Sequence, residues 1–238
     1  YKAGKLMFNS MNGYYTTSRY SGDVVMNLNN STIETNLKVP FFDARDLLQI
    51  FSRKFKLPIA ISGTGQAAIK ASGPLDISRM TYDLKSSLFK GSVAGENYDQ
   101  MHFDVKSKAG EVKSERVSMT RGDAVIQLTG VGHPNGRVET EIRGRGIRLE
   151  ETNFISDSGF ALSGVMGFDM TLNGPVLAPD AEMKGSLTRT SIAETALPDS
   201  TFNMKFTSKT VEGKGNFLGE LVTGEFVWPL TNDAPMSL

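Results

Sequence analysis

The side chains here that could do chemistry are few and poorly placed for it. Of the two histidines, His102 falls on the polar edge of an alternating run and His133 in a His-Pro-Asn-Gly turn. Neither has a second ligand at i+2 or i+4 with which to hold a metal. Both read as solvated. Glu139 and Glu141 are two residues apart, the spacing that sets two carboxylates on one strand face, as a glycoside-hydrolysing pair would need. Arg137 and Arg143 share that face, which is the look of an exposed ladder of mixed charge. Gly91-Ser92 lacks the Gly-x-Ser-x-Gly elbow of a serine nucleophile, and Arg143-Gly144-Arg145-Gly146 reads as a strand end, not a phosphate cradle. Arg121-Gly122-Asp123 matches a cell-adhesion tripeptide, yet a hairpin turn needs those residue types anyway. The chain is read as no enzyme, with no metal site and no cofactor.

Composition narrows the partners. With 238 residues the chain is long enough to bury a core, and its 26 basic and 26 acidic side chains cancel to a formal net charge of zero. No long-range field draws it to nucleic acid or to an anionic bilayer. The chain has no cysteine, which excludes a disulfide framework and thiolate metal sites and leaves the compartment open. No run approaches the roughly 20 apolar residues of a membrane span. The chain opens at Tyr1 without a basic, apolar and small-residue leader, and so reads as a mature protein or an excised piece.

The elements that would position any site are strands. Met101, Phe103 and Val105 alternate with polar residues, as do Met166, Phe168, Met170 and Leu172, so each run has one apolar and one wet edge. Ile33, Thr35, Leu37 and Val39 form a similar edge. Further strands are expected at 66–72, 79–86, 98–107, 111–120, 123–130, 136–143, 160–173, 180–190, 201–208 and 211–228, the last in one or two pieces. Their connections are hairpin-scale, so consecutive strands should pair antiparallel as a meander. One helix interrupts them over about 43–56, with Asp43 as N-cap and Asp46 in the first turn. Leu47, Leu48, Phe51 and Phe55 make its apolar stripe, with Arg45, Gln49, Arg53 and Lys56 on its wet side, until Pro58 forbids continuation. The expected organisation is N-terminal strands over 1–40, the helix and a linker over 41–58, and repeated strands over 59–238.

Gly73-Pro74-Leu75-Asp76 and Gly174-Pro175-Val176-Leu177 each end a strand, and a new strand begins near Met80 or Ala181. A meander with recurring Gly-Pro breaks lengthens by addition, as repeat proteins do. Six of the 11 methionines fall at inward positions, namely Met101, Met119, Met166, Met170, Met183 and Met204. Flexible thioethers suit a surface that accepts varied apolar partners, and they equally suit ordinary core filling.

The stretch from Gly159 to Leu187, GFALSGVMGFDMTLNGPVLAPDAEMKGSL, resembles the signature of the TamB and AsmA-like envelope proteins: a strand ending in Gly, a Pro shortly after, then another alternating strand. Gly63 to Leu75 and Arg145 to Leu149 are similar in style. The resemblance implies a long twisted antiparallel sheet curled into an open hydrophobic trough, a β-taco, with one short amphipathic helix. It implies phospholipid acyl chains as cargo, moved between the inner and outer membranes of diderm bacteria, or help in outer-membrane protein assembly. It further implies a periplasmic setting, an inner-membrane anchor in the full-length protein and an Omp85-class outer-membrane barrel as partner. The groove lining would then be Met101, Phe103, Val105, Ile126, Leu128, Val138, Ile142, Met166, Phe168, Met170, Leu172, Phe202, Met204 and Phe206, with Leu47, Leu48, Phe51 and Phe55 as a lid. The residues by themselves leave another architecture open: a β-sandwich or β-solenoid, such as an adhesin segment, whose apolar face is wholly internal.

Overall fold

The computed structural model describes residues 4–46, 60–76, 79–217, 219 and 221–229. It is mainly β: the described residues form fifteen strands, and the chain divides into two compact units, Tyr1–Arg121 and Gly122–Leu238. The first unit holds β1 (Lys5–Tyr15), β2 (Ser18–Asn27), β3 (Thr32–Asp43), β4 (Thr64–Pro74), β5 (Thr81–Val93), β6 (Glu96–Lys108) and β7 (Glu111–Arg121). Each pairs antiparallel with its predecessor in the chain.

The second unit holds β8 (Ala124–Gly132), β9 (Arg137–Arg148), a 3-10 turn (Leu149–Glu151), helix α1 (Asn153–Ser158), β10 (Leu162–Pro175) and β11 (Asp180–Ile192). They are followed by β12 (Thr195–Leu197), β13 (Ser200–Phe206), β14 (Thr210–Phe217) and β15 (Val222–Pro229). Its sheet runs β8, β9, β10, β11, β13, β14, β15, again antiparallel and open, with the short β12 paired to the end of β11. Among the described residues the strands of each unit follow one another in a single hydrogen-bonded order.

Most expected strands are present, with longer ends. Strand 136–143 continues to Arg148, so Arg143-Gly144-Arg145-Gly146 is not a strand end. It is a bulge inside β9: Phe168 pairs with Gly144, and its second neighbour Met166 pairs with Ile147. Gly146, with φ 68°, takes the left-handed conformation that the extra residue requires. Strand 79–86 likewise runs on to Val93. The segment 211–228 forms two strands, β14 and β15.

Of the helix expected over 43–56, residues 43–46 belong to the described residues: Asp43 ends β3, and Ala44, Arg45 and Asp46 are helical. The stripe Leu47, Leu48, Phe51 and Phe55 lies outside the described residues. Asp43 caps as expected, its Oδ1 accepting from Arg45 N at 2.9 Å, and the Arg45 guanidinium holds the Asp43 carboxyl below its ordinary range. Asp46 does not serve the helix alone. Its Oδ2 accepts from Ser18 Oγ at 2.8 Å, Thr17 Oγ1 at 3.0 Å and the N–H groups of Thr17 and Ser18 at 3.2 Å. Hydrogen bonds from the Thr16 and Ser18 hydroxyls, then from Thr17, bring this buried carboxyl down to about 2. The helix start is thereby tied to the β1–β2 turn.

A second helix, α1, was not foreseen, because six residues are too few to show helical periodicity. Its ends are nonetheless marked: Thr152 Oγ1 accepts from Ile155 N at 3.3 Å, and Gly159 closes it at φ 73°.

Burial is sparse. One cluster in the first unit joins Phe42, Ala44, Leu88, Tyr98 and Met101, with Val39, Ile61, Ala67, Val93, Phe103 and Met119 packed around it. Tyr98, its phenol pushed up by burial, donates to the Ser62 carbonyl. In the second unit the buried apolar residues, among those described, are Ile147, Leu149, Phe168 and Ala181. The accessible surface is 15508 Å².

Candidate functional site

Because paired residues on neighbouring strands point the same way, the registers place every side chain on a face. In the first unit one face is built of cross-strand rows. Phe42, Gly65, Leu88, Met101 and Met119 form one row; Val39, Ala67, Ser86, Phe103 and Val117 the next; Leu37, Ile69, Leu84 and Val105 a third. The second unit repeats the arrangement. Ile126, Gly144, Phe168, Gly185, Phe202 and Gly215 form one row, Leu128, Ile142, Met170, Met183, Met204, Gly213 and Phe226 the next, and Leu172, Ala181, Phe206, Val211 and Trp228 a third. Val138, paired to Gly174, and Met166, paired to Ile147 and Leu187, lie on the same face.

Every residue expected to line a groove is therefore on the apolar face of its own unit. Most are half-buried. Met101 at 4% and Phe168 at 9% exposure are the exceptions, packed among neighbours and not offered to a ligand. The strand period is the signal in the sequence for this shared face.

It could not reveal how the second unit fits large rings onto a flat sheet. A methyl group on Gly144 would overlap the Phe168 ring, one on Gly185 the Phe202 ring, and one on Gly213 the Phe226 ring. Each ring lies over a glycine of the preceding strand, at a place where no Cβ stands. Large and absent side chains alternate along the row, which keeps it level.

The opposite face is charged. Lys38, Ala68, Lys85, Asp104 and Arg116 make one row in the first unit, with Lys85 Nζ 3.6 Å from Asp104. In the second unit Arg143, Asp169, Lys184 and Asn203 make another, with Arg143 Nε 3.6 Å from Asp169. Glu139 and Glu141 are exposed there, Glu141 3.4 Å from Arg143 and Glu139 3.4 Å from His133. His102 is less solvated than expected: half-buried, its Nδ1 is 2.9 Å from Ser87 Oγ. Arg145 reaches furthest, donating to the Phe168 carbonyl at 2.7 Å and forking onto both oxygens of Asp169 at 2.8 and 2.9 Å.

The open grooves of the first unit lie among these charged rows: one is lined by Lys38, Gln66, Lys85, His102, Asp104 and Arg116, another by Asp23, Glu34, Lys70, Asp83 and Lys106. Long side chains standing in parallel rows create them. The apolar face offers a broad surface with half-exposed side chains. No group of three His, Cys, Asp or Glu side chains converges on a metal position among the described residues. No family model, no curated protein and no solved structure matches this chain.

Proposed function

We propose that this chain is a segment of a TamB- or AsmA-like envelope protein that shields phospholipid acyl chains on its apolar sheet face during passage between the inner and outer membranes. The observation carrying the reading is that the described strands of each unit present a multi-strand apolar face, with side chains such as Phe103, Met170, Met204 and Phe206 only half-buried. An apolar face of this extent left to water has no stabilising role in a monomer and calls for an apolar occupant. Acyl chains make no polar demands, and the methionine row Met170, Met183, Met204 can adapt to chains of varied shape. The periplasmic setting, an anchor in the longer protein and a barrel of the Omp85 class as partner belong to the same proposal.

A photo-crosslinking residue at Phe206 or Met204, in protein purified from membranes of a diderm host, should capture phospholipid identifiable by mass spectrometry. The same residue at outward-facing Lys205 should not. Capture from neither face, with no lipid in organic extracts, overturns the proposal.

A structural segment whose apolar face is closed by another protein is the second reading. It is favoured by the position of the open grooves among charged rows. Crosslinks from Phe206 to protein and never to lipid would establish it.

A further inference from the structure

We infer that the two units are two copies of one building block, with a period of about six strands along the chain. The inference is independent of what occupies the apolar face. The Gly-Pro pair ending β4 recurs at the end of β10 with an offset of 101 residues, and the same offset carries Ala60 to Ala161, Ser62 to Ser163 and Gly63 to Gly164. The structure gives these matches the same geometry.

Ala94 N donates to the Ala60 carbonyl at 2.9 Å, and Ala193 N to the Ala161 carbonyl at 2.9 Å. Ser62 Oγ lies 2.9 Å from Ser92 Oγ, and Ser163 Oγ lies 2.7 Å from Ser191 Oγ. On the partner strands Lys90 and Arg189 sit at φ 47° and 51°, and Ala94 and Ala193 at φ 50° and 44°. Positive φ at a residue with a Cβ is uncommon, so two such residues four apart, recurring at the matching place of a second hairpin, are not an accident of strand pairing.

The correspondence extends to the strand before each hairpin. On β3 the step from Val39 to Phe42 faces two residues of β4, and on β9 the step from Gly144 to Ile147 faces two residues of β10, the same bulge. After each bulge comes the same pair of buried apolar positions, Phe42 and Ala44 in one unit, Ile147 and Leu149 in the other. A helical segment starts there in both. A bulge, a buried pair, a helical insert, a serine-linked strand start and a Gly-Pro stop thus recur in one order. A generic meander specifies none of them.

If the blocks are equivalent, removing one full period from inside a strand must leave a chain whose faces still match. Deletion of residues 68–168 joins Ala67 to Asp169 and makes a hybrid strand in which Met170 and Leu172 remain on the apolar side. A control deleting only 68–167 retains Phe168 and slips the strand by one residue, which turns Asp169, Thr171 and Asn173 inward and the apolar residues out. Circular dichroism and thermal melting of the two purified proteins read the result. The in-phase deletion should give a β-sheet spectrum and one cooperative transition, and the control should show no cooperative transition or a midpoint lower by about 10 °C or more. If the in-phase protein does not fold, or if the two melt alike, the equivalence is overturned.

Discussion

The ring of Phe168 lies over Gly144 of the neighbouring strand so closely that a single methyl group at that glycine would occupy the same space. The pair is a lock between β9 and β10, and it recurs with Phe202 over Gly185 and Phe226 over Gly213. Rings that would otherwise stand up from the sheet lie down along it, which shields them in part and flattens the apolar face.

A change at the glycine should therefore have opposite signs in two backgrounds. Gly144→Ala in the native protein forces the ring off its rotamer and should cost about 1–3 kcal/mol. In a Phe168→Ala background the space is empty, and the same change should be neutral or stabilising by up to about 1 kcal/mol, because alanine suits a strand interior better than glycine. Urea unfolding of the four proteins of the cycle measures both; additivity would show that the two residues do not interact.

Charge placed on the apolar face should be tolerated according to depth. Phe168→Asp buries a carboxylate among packed side chains and should cost several kcal/mol, enough to unfold a domain of ordinary stability. Met204 is half-buried, so Met204→Asp keeps access to water and should leave a folded protein weakened by about 1–2 kcal/mol. Equal losses at the two sites would mean that Met204 is covered by something in the purified protein.

The Asp46 carboxyl, held at about 2 by the Thr16, Ser18 and Thr17 hydrogen bonds, is depressed below its ordinary 3.8. Its contribution to stability is complete above the ordinary value and is lost as pH falls through the folded one. Asp46→Asn should thus be clearly less stable than the native chain above pH 4. The gap in denaturation midpoint between the two should close as pH drops from about 4 to 2. A gap independent of pH in that window would contradict the hydrogen-bonded, ionised Asp46.

On the charged face, position in the network should separate two arginines. Arg143 makes only long contacts, at 3.4 and 3.6 Å, with exposed partners, and Arg143→Ala should fall within about 0.5 kcal/mol of the native protein. Arg145 bonds the Phe168 carbonyl and both Asp169 oxygens across the β9 bulge, so Arg145→Ala should cost more, about 1 kcal/mol. Thermal melts of the two variants side by side decide it.

The sequence by itself determined which residues share a face. A strand turns its side chains every second residue, so Met166, Phe168, Met170 and Leu172 had no choice once the segment was extended, and the same holds for Phe202, Met204 and Phe206. It also determined most turns, because Gly73-Pro74 and Gly174-Pro175 end strands by local backbone chemistry. Only the tertiary structure decided the rest. The bulge that carries β9 through Arg145 and Gly146 is fixed by its register against β10, and Asp46 found its partners on a turn 28 residues away in the chain. Which apolar residues are buried and which stay half-open depends on rings of one strand settling over glycines of another. That is a distance between strands, and alternation within one strand carries no information about it.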